Sequence, residues 1–160
     1  RFLFMHLSRE LARAGRLEAE VAVMLMDLDG FKEINDTHGH HVGDRALVDV
    51  ARTLRAGIRP YDICVRYAGD EFIVVLPGCS LEEAEVKRAE LQRSIGDMAF
   101  EARPGIRLQL GISVGIAVFS RDGESYETLL ATADSRMYQD KAGRKRRPSH
   151  ETTDLLNADA

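Results

Sequence analysis

The run Val21-Ala22-Val23-Met24-Leu25-Met26 is the feature that most constrains this chain, because it is apolar without interruption and stops at Asp27-Leu28-Asp29-Gly30. A half-exposed strand alternates polar and apolar residues, so an unbroken run reads as a buried strand meeting a polar turn. At 160 residues, 44% hydrophobic and 30% charged, the chain can bury a full core as one domain, which argues against disorder. No apolar run approaches the roughly 18–20 residues of a membrane span. No charged–apolar–small leader pattern opens the sequence either.

Other segments follow by periodicity. Phe4, Leu7 and Leu11 predict a helix over Phe2 to Arg13. A short helical piece is expected over Phe31 to Asp36, then a turn from Gly39 to Asp44. Val42, Ala46, Leu47, Val50, Ala51 and Leu54 mark one face of a further helix. Asp62 to Tyr67 and Phe72 to Leu76 are β-prone runs around Ala68-Gly69-Asp70-Glu71, a hairpin signal that Pro77-Gly78 closes. Ser80 and Glu83 form a capping box ahead of a helix from Leu81 to Ile95. Leu108 to Phe119 is β-rich, and its two internal glycines predict bulges or close backbone approach. Tyr126, Leu129, Leu130, Ala133 and Met137 build a last helix that runs into a basic stretch. The polar tail, residues 148–160, is expected to be disordered. The order α-β-α-α-β-β-α-β-α predicts an α/β (α+β) fold, a mostly antiparallel sheet flanked by helices. The abrupt start within an amphipathic segment predicts a piece of something longer.

Composition excludes several functions. Cys64 and Cys79 form no Cys-x-x-Cys pair, so neither a disulfide framework nor a zinc site is expected, and a cytoplasmic setting is the default. His40 and His41 stand without further ligands at zinc spacing. A net charge of −4 gives no support to nucleic-acid binding, and there is no Gly-x-x-x-x-Gly-Lys-Ser/Thr phosphate loop.

The chemistry is concentrated in carboxylates. Asp27 and Asp29 are two apart at a strand end and share a face if the strand persists; Asp70 and Glu71 sit at a hairpin tip. If hairpin and strand lie side by side, three or four acids converge at one sheet edge, an arrangement suited to Mg²⁺ or Mn²⁺ with a substrate phosphate. Taken pair by pair, the same acids read more readily as solvated turn residues, and it is four in two such places that points to a metal. Gly30 and Phe31 could offer backbone N–H groups to phosphates, with Lys32 adding charge.

These residues resemble a family. Asp27 to Asp36, Gly39-His40, Gly43-Asp44, the hairpin Arg66-Tyr67-Ala68-Gly69-Asp70-Glu71-Phe72, Ile112 to Ala117 and Ala133 to Tyr138 are similar to the GGDEF domain of diguanylate cyclases, in order across residues 1–147. The family's usual Asp-x-Leu-Thr opening is missing, which fits truncation before Arg1. The resemblance implies a ferredoxin-like palm that condenses two GTP into cyclic di-GMP and two pyrophosphates. It implies Asp27, the Leu28 carbonyl, Asp70 and Glu71 as metal ligands, with Asp70 activating the 3′-hydroxyl. By the same resemblance Asn35 and Asp44 read guanine, and Lys141 and Lys145 bind phosphate, with Arg144 the rival to Lys145. Arg59 and Asp62 match the Arg-x-x-Asp product-inhibition motif. A second GGDEF domain would be the catalytic partner. Ala68 replaces the signature's first glycine, which implies slower turnover if that position needs φ > 0 or touches the nucleotide, and a GTP or cyclic di-GMP sensor as the alternative function.

Overall fold

The computed structural model describes residues 2–145; the predicted tail, with Arg146 and Arg147, lies outside them. The elements run α1 (Phe2–Leu17), β1 (Val21–Leu28), α2 (Phe31–His38), α3 (His40–Ala56), β2 (Ile63–Ala68), β3 (Glu71–Pro77), α4 (Leu81–Gly96), β4 (Phe100–Arg103), β5 (Ile106–Leu108), β6 (Ile112–Phe119) and α5 (Tyr126–Lys145). Four strands form one sheet in the order β2-β3-β1-β6, antiparallel at every pairing, while β4 and β5 make a separate ribbon. None of the described helices is long and apolar enough to cross a membrane.

Every residue of β1 is buried because both faces of the sheet are covered. Ala22, Met24, Met26 and Leu28 pack with Leu47, Val50 and Leu54 of α3 and with Leu91 and Ile95 of α4. Val21, Val23 and Leu25 pack on the other side with Leu7 and Leu11 of α1 and with Leu129, Ala133 and Met137 of α5. By the two-residue period of a strand, Asp27 continues this second series, so its carboxylate belongs to the α5 side.

Two sequence expectations need correction. The stretch from Leu108 onward is not one β segment: β5 ends at Leu108 and pairs back onto β4, and β6 begins at Ile112. The missed signal is Pro104-Gly105, whose glycine turns the ribbon at φ +80°. The expected turn from Gly39 to Asp44 contracts to Gly39 alone, at φ +90°, and α3 starts at His40. The Ser80 cap forms as read, its Oγ accepting from the Glu83 N–H at 3.2 Å.

The β6 edge of the sheet is closed by side chains. Gln92 Nε2 donates to the Ile112 carbonyl (3.1 Å), and the Val114 N–H donates to Asp140 Oδ2 (2.9 Å). Arg136 Nη1 donates to the Ile116 carbonyl (2.7 Å), and the Val118 N–H donates to Asp122 Oδ2 (2.8 Å). Arg136 also grips Asp122 through Nη2 at 2.9 Å. Four outward-facing backbone groups of β6 are thereby satisfied, which reduces the pairing hazard of an open edge.

These bonds also fix α5, whose backbone lies directly on β6. A Cβ at Gly115 would overlap the Ala133 carbonyl and the Met137 nitrogen, backbone atoms that cannot step aside. Gly115→Ala is therefore expected to destabilise the domain by about 3 kcal/mol or more, measured by urea unfolding.

Candidate active site

The site is built at the C-terminal end of β1. Strand register places Asp27 opposite Glu71 on one side and Ser113 on the other. The β2–β3 turn is made by Gly69 at φ +48°, with Arg66 Nε donating to the Gly69 carbonyl at 2.7 Å. The Leu28 N–H donates to the Asp70 carbonyl at 3.2 Å and ties the hairpin tip to the end of β1. Asp27, Asp70 and Glu71 are thus brought together, as expected.

Their electrostatics show the strain of that assembly. Asp27 is only 7% exposed. Its Oδ2 accepts from Lys141 Nζ at 2.7 Å, while its buried Oδ1 has no hydrogen-bond partner among the described residues. Burial and the adjacent Asp27 carboxylate push the Asp70 carboxyl up to about 7. Glu71 is also raised, by burial and then by Asp27 and Asp134. Lys141 is held above the usual lysine range, chiefly by its hydrogen bond to Asp27. One ammonium faces several carboxylates, so the cluster lacks positive charge.

Asp29 does not join them. Its Oδ1 accepts from Ser113 Oγ at 2.5 Å and its Oδ2 from Arg144 Nε at 2.8 Å. Sequence reading counted it among the converging acids and did not find Asp134, which α5 contributes from the opposite end of the chain.

Among the described residues no three His, Cys, Asp or Glu side chains stand ready as a metal cage. The donor set still fits a hard divalent ion of the Mg²⁺ kind, which takes one or two carboxylates and completes its shell with substrate phosphates and water. The partnerless Asp27 Oδ1 and the raised Asp70 and Glu71 are what a cation would correct.

The expected guanine readers lie on α2 and α3. Asn35 is half-buried and its Oδ1 has no hydrogen-bond partner among the described residues, while Asp44 is exposed on the first turns of α3. Gly43 lets the two helices meet: a Cβ there would overlap Asn35 Oδ1 and lie 3.2 Å from the Phe31 ring. Gly30 turns the chain into α2 at φ +66°, and Lys32 is exposed beside it. Of the basic candidates on α5, Lys141 reaches Asp27 and Arg144 reaches Asp29, whereas Lys145 is exposed.

Arg59 and Asp62 lie just before β2. Asp62 is buried to 1% side-chain exposure. Its carboxylate accepts from the Arg59 backbone N–H at 2.8 Å, from Nε at 2.9 Å and from Nη2 at 2.8 Å. Arg59 Nη2 also donates to the Pro77 carbonyl at 2.9 Å, and its guanidinium lies 4.5 Å from the centre of the exposed Tyr61 ring. Ala68 is exposed, pairs with Glu71 beside a bulge, and is not among the residues with positive φ. The left-handed backbone that would penalise alanine is absent there.

The raised Asp70 carboxyl has a stability consequence. Unfolded, this group ionises near 3.9; folded, it holds its proton until about pH 7. Between those values the folded state binds the extra proton, so stability falls as pH rises, and the penalty is complete above 7. Asp70→Asn should therefore stabilise the metal-free protein at pH 8 by on the order of 1 kcal/mol after solvent screening. The gain should vanish below about pH 4 in paired urea titrations.

Residues 1–147 match the family model described as the GGDEF domain of diguanylate cyclases. The chain is 39% identical over 139 residues to the diguanylate cyclase DosC of Escherichia coli, covering 86% of this chain and 30% of that protein. It is 36% identical over 135 residues to MucR of Pseudomonas aeruginosa, a bifunctional diguanylate cyclase/cyclic di-GMP phosphodiesterase, covering 84% of this chain and 19% of MucR. The chain thus spans less than a third of these relatives. The crystal structure of the GGDEF domain of PA1120 (YfiN or TpbB) from Pseudomonas aeruginosa superposes with a TM-score of 0.84 at 34% identity, covering 89% of this chain and 88% of that one. The GGDEF domain of DgcB from Caulobacter crescentus, solved in complex with c-di-GMP, superposes with a TM-score of 0.81 at 26% identity over 86% of this chain and 81% of that one. With a helix-flanked antiparallel sheet carrying acids at the end of β1 and the β2–β3 tip, this chain belongs to the GGDEF domain family of diguanylate cyclases.

Proposed function

We propose that the domain is a diguanylate cyclase that condenses two GTP molecules into cyclic di-GMP and releases two pyrophosphates. The observation that carries this reading is the acid cluster at the end of β1: Asp27 paired with Glu71 across the sheet, Asp70 raised beside them, and Lys141 bound to Asp27. Each domain holds one GTP, so two copies meet face to face. In each half-reaction the 3′-oxygen of one GTP forms a bond to the α-phosphorus of the other, and the bond to pyrophosphate breaks. The hydroxyl proton passes to the Asp70 carboxylate at the hairpin tip. A bound Mg²⁺ or Mn²⁺ would neutralise α-phosphate charge and acidify the hydroxyl, held by Asp27, Glu71, Asp70 and the Leu28 carbonyl. Gly30, Phe31 and Lys32 border the phosphates, with Lys141 at the developing charge.

Asn35 and Asp44 choose the base. A carboxylate accepts from guanine N1–H and N2–H, whereas adenine offers no such donor pair and leaves the acid facing an acceptor. The setting we infer is the cytoplasm, where GTP is available. Ala68 supports a sensor that binds nucleotide without turnover only through crowding of the nucleotide by its methyl group, because its φ is not positive.

Purified protein with GTP and Mg²⁺ should form cyclic di-GMP, detected by chromatography, and ATP should give no cyclic product. Asp27→Ala should lower turnover at least a hundredfold, equivalent to about 2.7 kcal/mol of barrier, with the fold retained. Full activity in that variant would remove Asp27 from the metal site.

Product control belongs to Arg59. Asp62, fully occupied by Arg59, fixes the guanidinium; ligand contact by Asp62 itself requires that pair to open. Arg59→Ala should weaken cyclic di-GMP binding by about 2 kcal/mol. Calorimetry on wild type and variant checks this, and equal affinities would leave the motif structural.

A further inference from the structure

The arrangement around Asp29 is not explained by metal binding. Asp29 sits one residue before the left-handed Gly30 turn, and both its carboxylate oxygens are engaged by Ser113 and Arg144. Ser113, fully buried on the neighbouring strand, donates its hydroxyl to Oδ1 and fixes the carboxylate plane. Oδ2 then receives Arg144 Nε from the last turns of α5. The Asp29 N–H donates to the Gly111 carbonyl at 2.8 Å, which holds the whole unit against the loop preceding β6. Gly111 makes room for the cation: a Cβ there would stand 2.6 Å from Arg144 Nη2 and 3.0 Å from Asp29 Oδ2.

Two chain-distant segments, Asp29 after β1 and Gly111 to Ser113 at the start of β6, therefore hold one guanidinium beside the β1–α2 turn. Only Nε is used by Asp29; no hydrogen bond from Nη1 or Nη2 is found among the described residues. That is the geometry of a fork anchored at its base with its tines free. Such a fork matches the paired oxygens of a polyphosphate, which a lysine ammonium cannot grip bidentately.

We propose that Asp29, seated by Ser113 and given room by Gly111, is the positioning residue that holds Arg144 as the triphosphate clamp of this site, in place of the exposed Lys145. The clamp rests on the reading of this site as a GTP site. It makes Asp29 a holder of a cation-bearing side chain and not a metal ligand.

The test is calorimetry on the full chain with two probes. One is a GTP analogue with a methylene bridge between the α and β phosphates, which binds without releasing pyrophosphate. The other is GMP, titrated to millimolar concentration. Gly111→Ala, Asp29→Asn and Arg144→Ala should each weaken analogue binding about tenfold or more and leave GMP affinity unchanged. Gly111→Ala matters most, because the atom it displaces is the end of a flexible side chain, so melting temperature should hold while the clamp is lost. Pairing Asp29→Asn with Arg144→Ala should add nothing to Arg144→Ala alone. Arg144→Lys should not restore affinity.

Wild-type analogue affinity in Asp29→Asn or Gly111→Ala would overturn the proposal. So would equal losses for GMP and the analogue, or a larger loss in Lys145→Ala than in Arg144→Ala. A wild-type protein that binds the analogue and shows these losses, yet forms no cyclic di-GMP, supports the clamp and removes only the cyclase reading. Failure to bind either probe overturns both.

Discussion

The contact on which the rest depends is the seating of α5 on β6 at Gly115. Without a side chain there, the helix backbone at Ala133 and Met137 reaches the strand itself. Close approach then lets Arg136 and Asp140 reach the outer backbone groups of β6, so the helix is held by hydrogen bonds as well as by apolar burial. Both consequences position chemistry. Asp140 is bonded to the Val114 N–H immediately before Lys141, and one turn later Arg144 meets Asp29. The cations of the site are therefore located by a packing constraint one to three helical turns before them on α5.

The acids are located by a different constraint, and at a cost. Register alone fixes Asp27 beside Glu71, and hairpin closure brings Asp70. Burial and mutual repulsion raise Asp70 and Glu71, so the assembled cluster opposes folding at neutral pH. The sheet tolerates this because β1 and β3 are buried over nearly their whole length and the repulsion is confined to their ends. On the proposed reading, a site that takes up a divalent ion needs uncompensated negative charge of this kind, which an optimally stable fold would neutralise.

Much of this was legible in the sequence because it is local. The apolar run fixed β1 as a strand covered on both faces, Ser80 and Glu83 located the start of α4, and Gly69 marked the tip that carries Asp70. Two local misreadings have simple causes. Pro104-Gly105 was passed over because β4 and β5 are only four and three residues long, too short for alternation to register. The residues from Gly39 to Asp44 looked like a turn by composition, yet Gly43 is helical because α3 needs a small residue against Asn35. What could not be read was the division of labour among distant charges. Asp27 and Asp29 are equivalent by spacing, and only the fold shows one facing Lys141 and the other Arg144. The choice between Arg144 and Lys145 has the same origin, since neighbouring helix positions differ by about 100° in direction and only docking decides which faces inward.

The Arg59–Asp62 pair and the acid cluster occupy opposite ends of the β2–β3 hairpin. Arg59 bonds to the Pro77 carbonyl at the last residue of β3, whereas Glu71 is its first. Seven residues of strand separate the two ends by about 20 Å. That exceeds the reach of any side chain, so a nucleotide held by Arg59 leaves Asp27 and Glu71 open to GTP. On the proposed reading, product control is then non-competitive. The hairpin is rigid along β3, whose five central residues are buried, and its β2 partner is the lesser-covered edge with a bulge at Arg66 and Ala68. On the same reading, product at the Arg59 end would act on how two domains approach each other and not on the chemistry within one. On that reading two domains meet for each cyclic product, and blocking their approach would stop turnover without touching an acid.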